Sequence, residues 1–299
     1  MGSWNQTLIE VQQSPNPEAL RKQALDELAS VRKRNVICYY SGWMQHAQPV
    51  MDMNITDNDM NGLMNAICGM DRSIGLDLVL HTPGGDLGAT EAIVEYLRDC
   101  FGSDICAIIP QMAMSAGTMI ACSCREIIMG RQSSLGPTDP QVYGMAAGGV
   151  IEEFRQAVDS VTANPALAPL WSQIIGKYHP TYLGDCQKAV DMSKQMLGDW
   201  LLDNMLSGDP EAESKKEEIT GLLCDHSKSA MHNRHFNHET IEGIGINVVM
   251  MEEDDVLQDK IMTLHHHYMI TFQSTLTSKI IESSTGAGWV IASAPAQVV

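Results

Sequence analysis

The chain has 299 residues, 44% of them hydrophobic, which is enough to bury one large core or a core with a smaller helical lobe. Its formal net charge of −18 argues against nucleic acid or an anionic membrane surface as a partner, because phosphate contacts need clustered Lys and Arg. It contains neither a run of about eighteen apolar residues nor a basic-then-apolar N-terminal signal, so we expect a soluble, cytoplasmic protein without a membrane-spanning segment.

The chain is predicted to start with a helical segment, residues 1–35, because residues 17–34 show the charged periodicity of an exposed helix. An α/β core is predicted over residues 36–145. It opens with an apolar strand at residues 36–43 and continues with an amphipathic helix that begins at Asp57.

Two strand–turn–helix units follow within this core. Residues 76–81 and 105–110 are short apolar runs, as expected of buried parallel strands, and each precedes a helical pattern, which predicts two βαβ crossovers. The first strand ends in the turn TPGG, residues 82–85, whose glycines let backbone N–H groups face a ligand. The second ends at Ser115, just before a helix that begins at Ala116. The order predicts a nucleophilic hydroxyl close to backbone donors for an oxyanion.

Three candidate site residues also have purely structural interpretations. Small residues around Ser115 suit a tight strand–helix junction in any α/β fold. His81 ends a buried strand, where it could orient an oxyanion loop or a substrate, or simply be hydrogen-bonded in place. Asp139 lies in a turn-forming stretch and could act on a catalytic base or bond only to its own backbone.

After Gly144 the strand pattern fades, and residues 146–285 are predicted as a helical appendage with one late strand and a final helix. Residues 286–299 are predicted as a tail, because they show no clear period. The appendage carries more apolar side chains than a small lobe easily buries, which predicts a homo-oligomer; the alternative is that they form the lobe's own core. These residues are Leu170, Trp171, Ile174, Met196, Trp200, Leu201 and Met205.

The eight cysteines show no small-domain spacing and are predicted to be reduced thiols, several of them buried. Cys122 and Cys124 are separated by one residue within a predicted helix, so their side chains should diverge. A histidine-rich stretch at residues 224–238, which includes His232, offers no recognised ligand spacing. We therefore predict no metal site and no organic cofactor.

The motifs HTPGG (81–85), AMSAGT (113–118) and LGPTDPQ (135–141), in this order, resemble the Clp-protease/crotonase superfamily. Within it the chain looks most like the serine dehydrogenase proteinase family, a relative of signal peptide peptidase A, over about residues 20–285. The resemblance implies a Clp/crotonase-like α/β fold of repeated βαβ units with a helical C-terminal appendage, and closed homo-oligomers. It also implies that Ser115 is the nucleophile and that the N–H groups of Gly85 and Ala116 stabilise the oxyanion, with Gly84 in support.

The resemblance fails at the catalytic base. Where Clp proteolytic subunits carry a histidine, this chain has Thr138-Asp139-Pro140. Signal peptide peptidase A uses a lysine instead, and the segment around Lys177 loosely resembles the segment that supplies it, with Lys188 and Lys194 as alternatives. A lysine acts as a base only if burial or a nearby cation lowers its pKa.

Together these features predict a serine peptidase, of endopeptidase type, that hydrolyses peptide bonds of peptide or protein substrates by a Ser/Lys mechanism. Two alternatives remain. A crotonase-like acyl-CoA hydrolase would use the same glycine turn without a nucleophilic serine, and a non-catalytic oligomeric scaffold would need neither.

Overall fold

The computed structural model describes residues 3–46, 52–226, 231 and 233–292. Eleven strands occur within these residues: β1 (Asn35–Ser41), β2 (Leu76–His81), β3 (Ile105–Ile109), β4 (Met112–Ala113), β5 (Glu126–Met129), β6 (Ser134–Leu135), β7 (Gln141–Val142), β8 (Met145–Ala146), β9 (Val248–Met250), β10 (Thr277–Ser283) and β11 (Gly288–Ala292). Seven of them form one sheet in the order β11-β10-β1-β2-β3-β5-β9. β1, β2, β3, β5 and β9 run parallel, and β10 with β11 forms an antiparallel hairpin at one edge. The predicted α/β class is confirmed.

Helices cover both faces of this sheet. Within the described residues they are α1 (Trp4–Gln13), α2 (Pro17–Arg32), α3 (Asp59–Ile67), α4 (Leu87–Phe101), α5 (Ala116–Cys122), α6 (Ala147–Ala163), α7 (Ala168–Ile175), α8 (Tyr182–Trp200), α9 (Ala212–Leu223), α10 (His238–Gly243) and α11 (Asp255–Ser274). α2 and α11 pack on one face, and α3, α4, α5, α8 and α9 contribute to the core on the other. No helix in the described ranges is both long and apolar enough to cross a bilayer.

The central strands are mainly apolar because both of their faces are covered. In β1, Ile37 and Tyr39 belong to the core under α3 and α4, whereas Cys38 and Tyr40 belong to the core under α2 and α11. Side chains on a strand alternate between faces, so a strand that is buried on both sides does not show an alternation of apolar and polar positions. The short apolar runs in the sequence therefore identified these strands correctly.

The sheet extends beyond the predicted core of residues 36–145. β9, β10 and β11 all come from later in the chain, and β10 pairs directly with β1. β11 takes up residues 288–292 of the predicted tail; residues 293–299 lie outside the described part. A strand must find a partner for its backbone groups, and the partner can be distant in sequence, which local patterns do not reveal.

A small cluster stands apart from the main core and comprises Ala147, Val150, Tyr182 and Cys186 on α6 and α8. This cluster corresponds to the start of the predicted appendage. Of the apolar residues that motivated the oligomer prediction, Met196, Trp200 and Leu201 are buried in the main core. Leu170 on α7 is 56% exposed.

A buried ion pair ties the N-terminal helices to the edge hairpin. Arg21 on α2 donates from Nε to Glu282 of β10 at 2.6 Å, and the two side chains are 6% and 3% exposed. Helix α2 is therefore packed on the same core as strand β10.

Replacing Arg21 by Met is expected to lower the free energy of unfolding by roughly 3 kcal/mol, because Glu282 would keep a buried charge without its partner. Urea denaturation measures this loss. Lys22→Met is the matched control, since Lys22 forms an exposed pair with Glu18 at 3.3 Å and its loss should cost about 0.5 kcal/mol or less. Equal losses in the two variants would contradict the role given to the buried pair.

Candidate active site

Two strand-to-helix turns meet at the carboxyl edge of the parallel strands. One leads from β2 through residues 82–86 into α4, and the other leads from β3 through β4 to Ser115 and α5. They are joined by backbone hydrogen bonds from Thr82 N to Met112 O (3.2 Å) and from Met114 N to Thr82 O (3.0 Å). The glycine turn and the serine, 30 residues apart in the chain, are thereby brought together as predicted.

The two glycines of the turn are required by close contacts on opposite sides. Gly84 has a φ of +95°, and a Cβ there would lie 2.7 Å from Ser115 Cβ. A Cβ on Gly85 would lie 2.3 Å from the backbone N of Ile55. Real Cβ atoms do not approach other atoms so closely, so neither position can carry a side chain without moving its neighbours. From the sequence we expected both glycines to leave room for a ligand. In the structure, the backbone of Ile55 occupies the space next to Gly85.

Ser115 has a strained backbone, with φ of 52° and ψ of −117°. A positive φ is unusual for any residue with a Cβ and costs of order 1–3 kcal/mol. Its hydroxyl does not cap α5, although serine commonly does so at a helix start. The side chain is half-buried at the edge of a cleft. The hydroxyl of Ser115 is therefore not used to cap the helix that follows it.

Two backbone N–H groups at this crossing donate no hydrogen bond to any of the described residues. Ile55 N donates to Gly84 O (2.8 Å) and Asp86 N donates to Ile55 O (2.9 Å), so the N–H of Gly85 points to the opposite edge of the turn. The N–H of Ala116 is the first of α5, and such groups have no partner within their own helix. The site of a Cβ on Gly84 lies only 3.0 Å from Ala116 N, which shows how close the turn comes to this donor.

A cleft of about 600 Å³ opens beside Ser115, a volume typical of ligand sites. Sequence reasoning missed the segment 54–56 and Ser193 of α8, which line it together with the glycine turn, Thr138, Pro140 and Gln141. No motif marks these residues. Among the described residues that line the cleft, Asp86 carries the ionisable side chain, and its Oδ1 accepts from Ala89 N at 2.8 Å as the cap of α4.

His81 and Asp139, the two candidate supporting residues, do not line this cleft. His81 is fully buried against the rings of Trp43 and His265. Burial and the neighbouring His265 keep the pKa of His81 well below its usual value, so its ring is neutral. Asp139 is also fully buried, and its Oδ2 lies 3.1 Å from Nδ1 of His226, which lines a second cavity of about 470 Å³.

None of the three candidate lysines is among the residues that line the cleft. Lys177 is exposed in the turn after α7, and Lys188 is 84% exposed. Lys194 forms an ion pair with Glu217 at 3.5 Å. A neutral lysine needs burial or a nearby cation, and one copy of the chain gives Lys177 no burial. Within the described residues, the structure does not bring Lys177 to Ser115.

The histidine-rich stretch shows no grouping of three or more potential ligands that could hold a metal ion, as far as its residues are described. His232 of this stretch lies outside the described part. Cys122 and Cys124 are both buried free thiols, and burial raises the pKa of each, that of Cys124 to about 12.

Comparison with known proteins adds a family and two relatives. A family model described as ClpP-like SDH-type serine proteinase matches residues 10–167. The uncharacterized protein MJ1495 of Methanocaldococcus jannaschii is 34% identical over 108 residues, which are 36% of this chain and 37% of that protein. The uncharacterized protein MJ0137 of the same organism is 33% identical over 144 residues, 46% of this chain and 48% of that protein. The chain thus matches less than half the length of either relative.

The strain at Ser115 makes a measurable prediction about stability. Ser115→Gly should be more stable than Ser115→Ala by about 1 kcal/mol, because glycine adopts a positive φ without the Cβ penalty and this gain exceeds its larger entropy in the unfolded chain. Chemical denaturation of the two variants measures the difference.

The control is the same pair of substitutions at Ser30, which is exposed within α2. There glycine should be the less stable variant by about 1 kcal/mol, because the helix has ordinary dihedral angles. A glycine variant that is less stable than the alanine variant at both positions would show that Ser115 is not strained.

Proposed function

The chain belongs to the family of ClpP-like SDH-type serine proteinases, and on this basis we propose that it hydrolyses peptide bonds with Ser115 as the nucleophile. The proposal rests on the backbone conformation of Ser115. Its φ is positive, and the hydroxyl forms no capping hydrogen bond with α5 that would explain this conformation. Strain of this kind persists where the surrounding structure enforces it, and such residues cluster at active sites. In α/β-hydrolases, too, a sharp strand-to-helix turn holds the nucleophilic serine in an exposed and strained position.

In the proposed reaction, Ser115 Oγ attacks the carbonyl carbon of the scissile peptide bond and loses its proton to a base. The N–H groups of Gly85 and Ala116 bind the oxyanion that forms. The loss of one such donor typically lowers kcat by about a hundred- to thousandfold. The C–N bond breaks as the base returns its proton to the leaving amine. Water then hydrolyses the acyl-enzyme by the reverse sequence of proton transfers.

The residues that line the cleft favour a peptide substrate whose side chains next to the scissile bond are uncharged. Its walls combine residues 54–56 with apolar residues such as Leu87 and Met119. Asp86 is already engaged as a helix cap. We therefore propose that the substrate lies in extended form along this cleft with uncharged side chains next to the scissile bond.

A fluorophosphonate probe tests the proposal directly. Wild-type protein should be labelled at Ser115 and should cleave an unstructured protein such as casein, whereas Ser115→Ala should lose the label and reduce kcat by roughly 10⁴-fold or more. Ser30→Ala, a surface variant, should behave as wild type.

Two outcomes would favour the alternatives. Hydrolysis of acyl-CoA thioesters that survives in Ser115→Ala would favour a crotonase-like hydrolase. Wild-type protein that is neither labelled nor active on peptide or thioester would favour a non-catalytic scaffold.

For the base, we propose Lys177 supplied by a second copy of the chain. Lys177 is exposed and lies outside the cleft of its own chain, and a general base must come within hydrogen-bond reach of the serine. The helices next to it also carry exposed apolar side chains, Val158 on α6 and Leu170 on α7 at 65% and 56% exposure. Association through these helices would bury them and would bring the amine into a less hydrated environment.

Subunit mixing tests a base that acts between copies. Ser115→Ala and Lys177→Ala proteins should each be inactive, and a 1:1 mixture after dissociation and reassembly should regain activity at about one site in four, where an intact serine meets an intact lysine. Lys188→Ala is the matched comparison, since Lys188 is also an exposed lysine outside the cleft, and it should retain full activity if Lys177 is the base. Full activity of Lys177→Ala alone would contradict the assignment, and so would a mass of 32.8 kDa, that of one chain, in light scattering of active protein.

A further inference from the structure

A buried ion pair lies behind the active-site cleft, outside the residues that line it. Lys279 of β10 and Asp59 at the start of α3 are both fully buried, and Lys279 Nζ donates to Asp59 Oδ1 at 2.6 Å. α3 begins at Asp59, two residues after the position predicted from the sequence. Asp59 Oδ2 also accepts from the hydroxyl of Tyr39 at 2.7 Å. Both carboxylate oxygens of Asp59 therefore accept a hydrogen bond, and the pair has no part in the proposed proton transfers.

The same two charged groups hold both ends of a tripeptide in the cleft wall. Lys279 Nζ donates a second hydrogen bond to the carbonyl of Asn54 at 2.7 Å. Asp59 Oδ2 accepts from the backbone N–H of Thr56 at 2.9 Å. Asn54 and Thr56 flank Ile55, so the ion pair fixes the tripeptide from the side that faces the core.

Ile55 in turn holds the glycine turn. Its N–H donates to Gly84 O and its carbonyl accepts from Asp86 N, at 2.8 and 2.9 Å. These two bonds are made by the residues on either side of Gly85 and therefore set the direction of the Gly85 N–H. A continuous series of contacts runs from Lys279 through the tripeptide to the proposed oxyanion donor.

The energetics of buried ion pairs favour a role in position over a role in stability. Two charges removed from water gain little net stability, and their replacement by apolar side chains of similar size is often neutral or stabilising. Fixed geometry at an oxyanion site matters much more, since a displacement of about 1 Å can cost roughly a hundredfold in rate.

We propose that the buried Lys279–Asp59 pair is a positioning device for the oxyanion turn, acting through residues 54–56. The inference rests on the proposed function, because positioning is meaningful only if the Gly85 N–H meets an oxyanion. Lys279 and Asp59 are positioning residues, and neither contacts the substrate.

The decisive variant removes the charges without leaving one of them unpaired. In Tyr39→Phe/Asp59→Leu/Lys279→Met, all three side chains of the buried network become apolar and no unpaired charge is left, so the protein should remain folded. kcat should fall by roughly ten- to a hundredfold with KM changed less than threefold, because the oxyanion donor is displaced and the rest of the cleft is intact. Tyr39→Phe alone is the matched control and should keep the wild-type kcat, since both bonds to the tripeptide remain.

Hydrogen exchange supplies a measurement that requires no activity. In wild type, the amides of Ile55, Thr56 and Asp86 should exchange as slowly as those of strand β1, and in the triple variant at least tenfold faster while β1 is unchanged. Fast exchange of these amides in wild type would overturn the proposal even if the triple variant did not fold.

The remaining outcomes are equally distinct. A folded triple variant with wild-type kcat and slow exchange would overturn the positioning role, and so would a loss of kcat in Tyr39→Phe as large as that in the triple variant. Wild type that shows no labelling at Ser115 would overturn the proposed function instead, and the exchange data would still decide whether the pair holds the turn.

Discussion

The close crossing of two strand-to-helix turns is the constraint on which the site depends. Gly84 lies so close to Met114 O and to the Cβ of Ser115 that no methyl group fits there. Backbone hydrogen bonds from Thr82 to Met112 and from Met114 to Thr82 hold the two turns together. This crossing places the serine hydroxyl and two backbone donors at one edge of the sheet. The parallel sheet supplies the rigid edge, because its central strands are buried on both faces.

The sequence was informative wherever the structural signal is local. A buried strand, a glycine-containing turn and a helix follow each other within about thirty residues, so the two turns and Ser115 could be predicted from their own residues. The role of Gly85 could be predicted only in part. Its contact with Ile55 lies across a loop whose sequence has no recognisable pattern, and a glycine that faces a ligand looks the same in sequence as one that faces backbone.

Contacts between residues far apart in the chain could not be predicted from local sequence patterns. Asp59 reads as an ordinary acid in the first turn of a helix, but its partner Lys279 is 220 residues away and lies on a strand whose neighbour is β1. The apolar residues of α8 read as a possible subunit contact, although Trp200 belongs to the main core. Lys177 could be matched to a family segment, yet its exposure in the single chain depends on where α6 and α7 project.

The positive φ of Ser115 also limits which nucleophiles this framework accepts. A β-branched residue in that region of backbone space is a genuine outlier, because its second Cβ substituent collides with the flanking peptides. Threonine, although it carries the same hydroxyl, is therefore a poor substitute, whereas cysteine has the unbranched shape of serine. A substitution of Ser115 by cysteine could therefore give a thiol nucleophile in this framework. A substitution by threonine, the nucleophile of some other hydrolases, would not be tolerated.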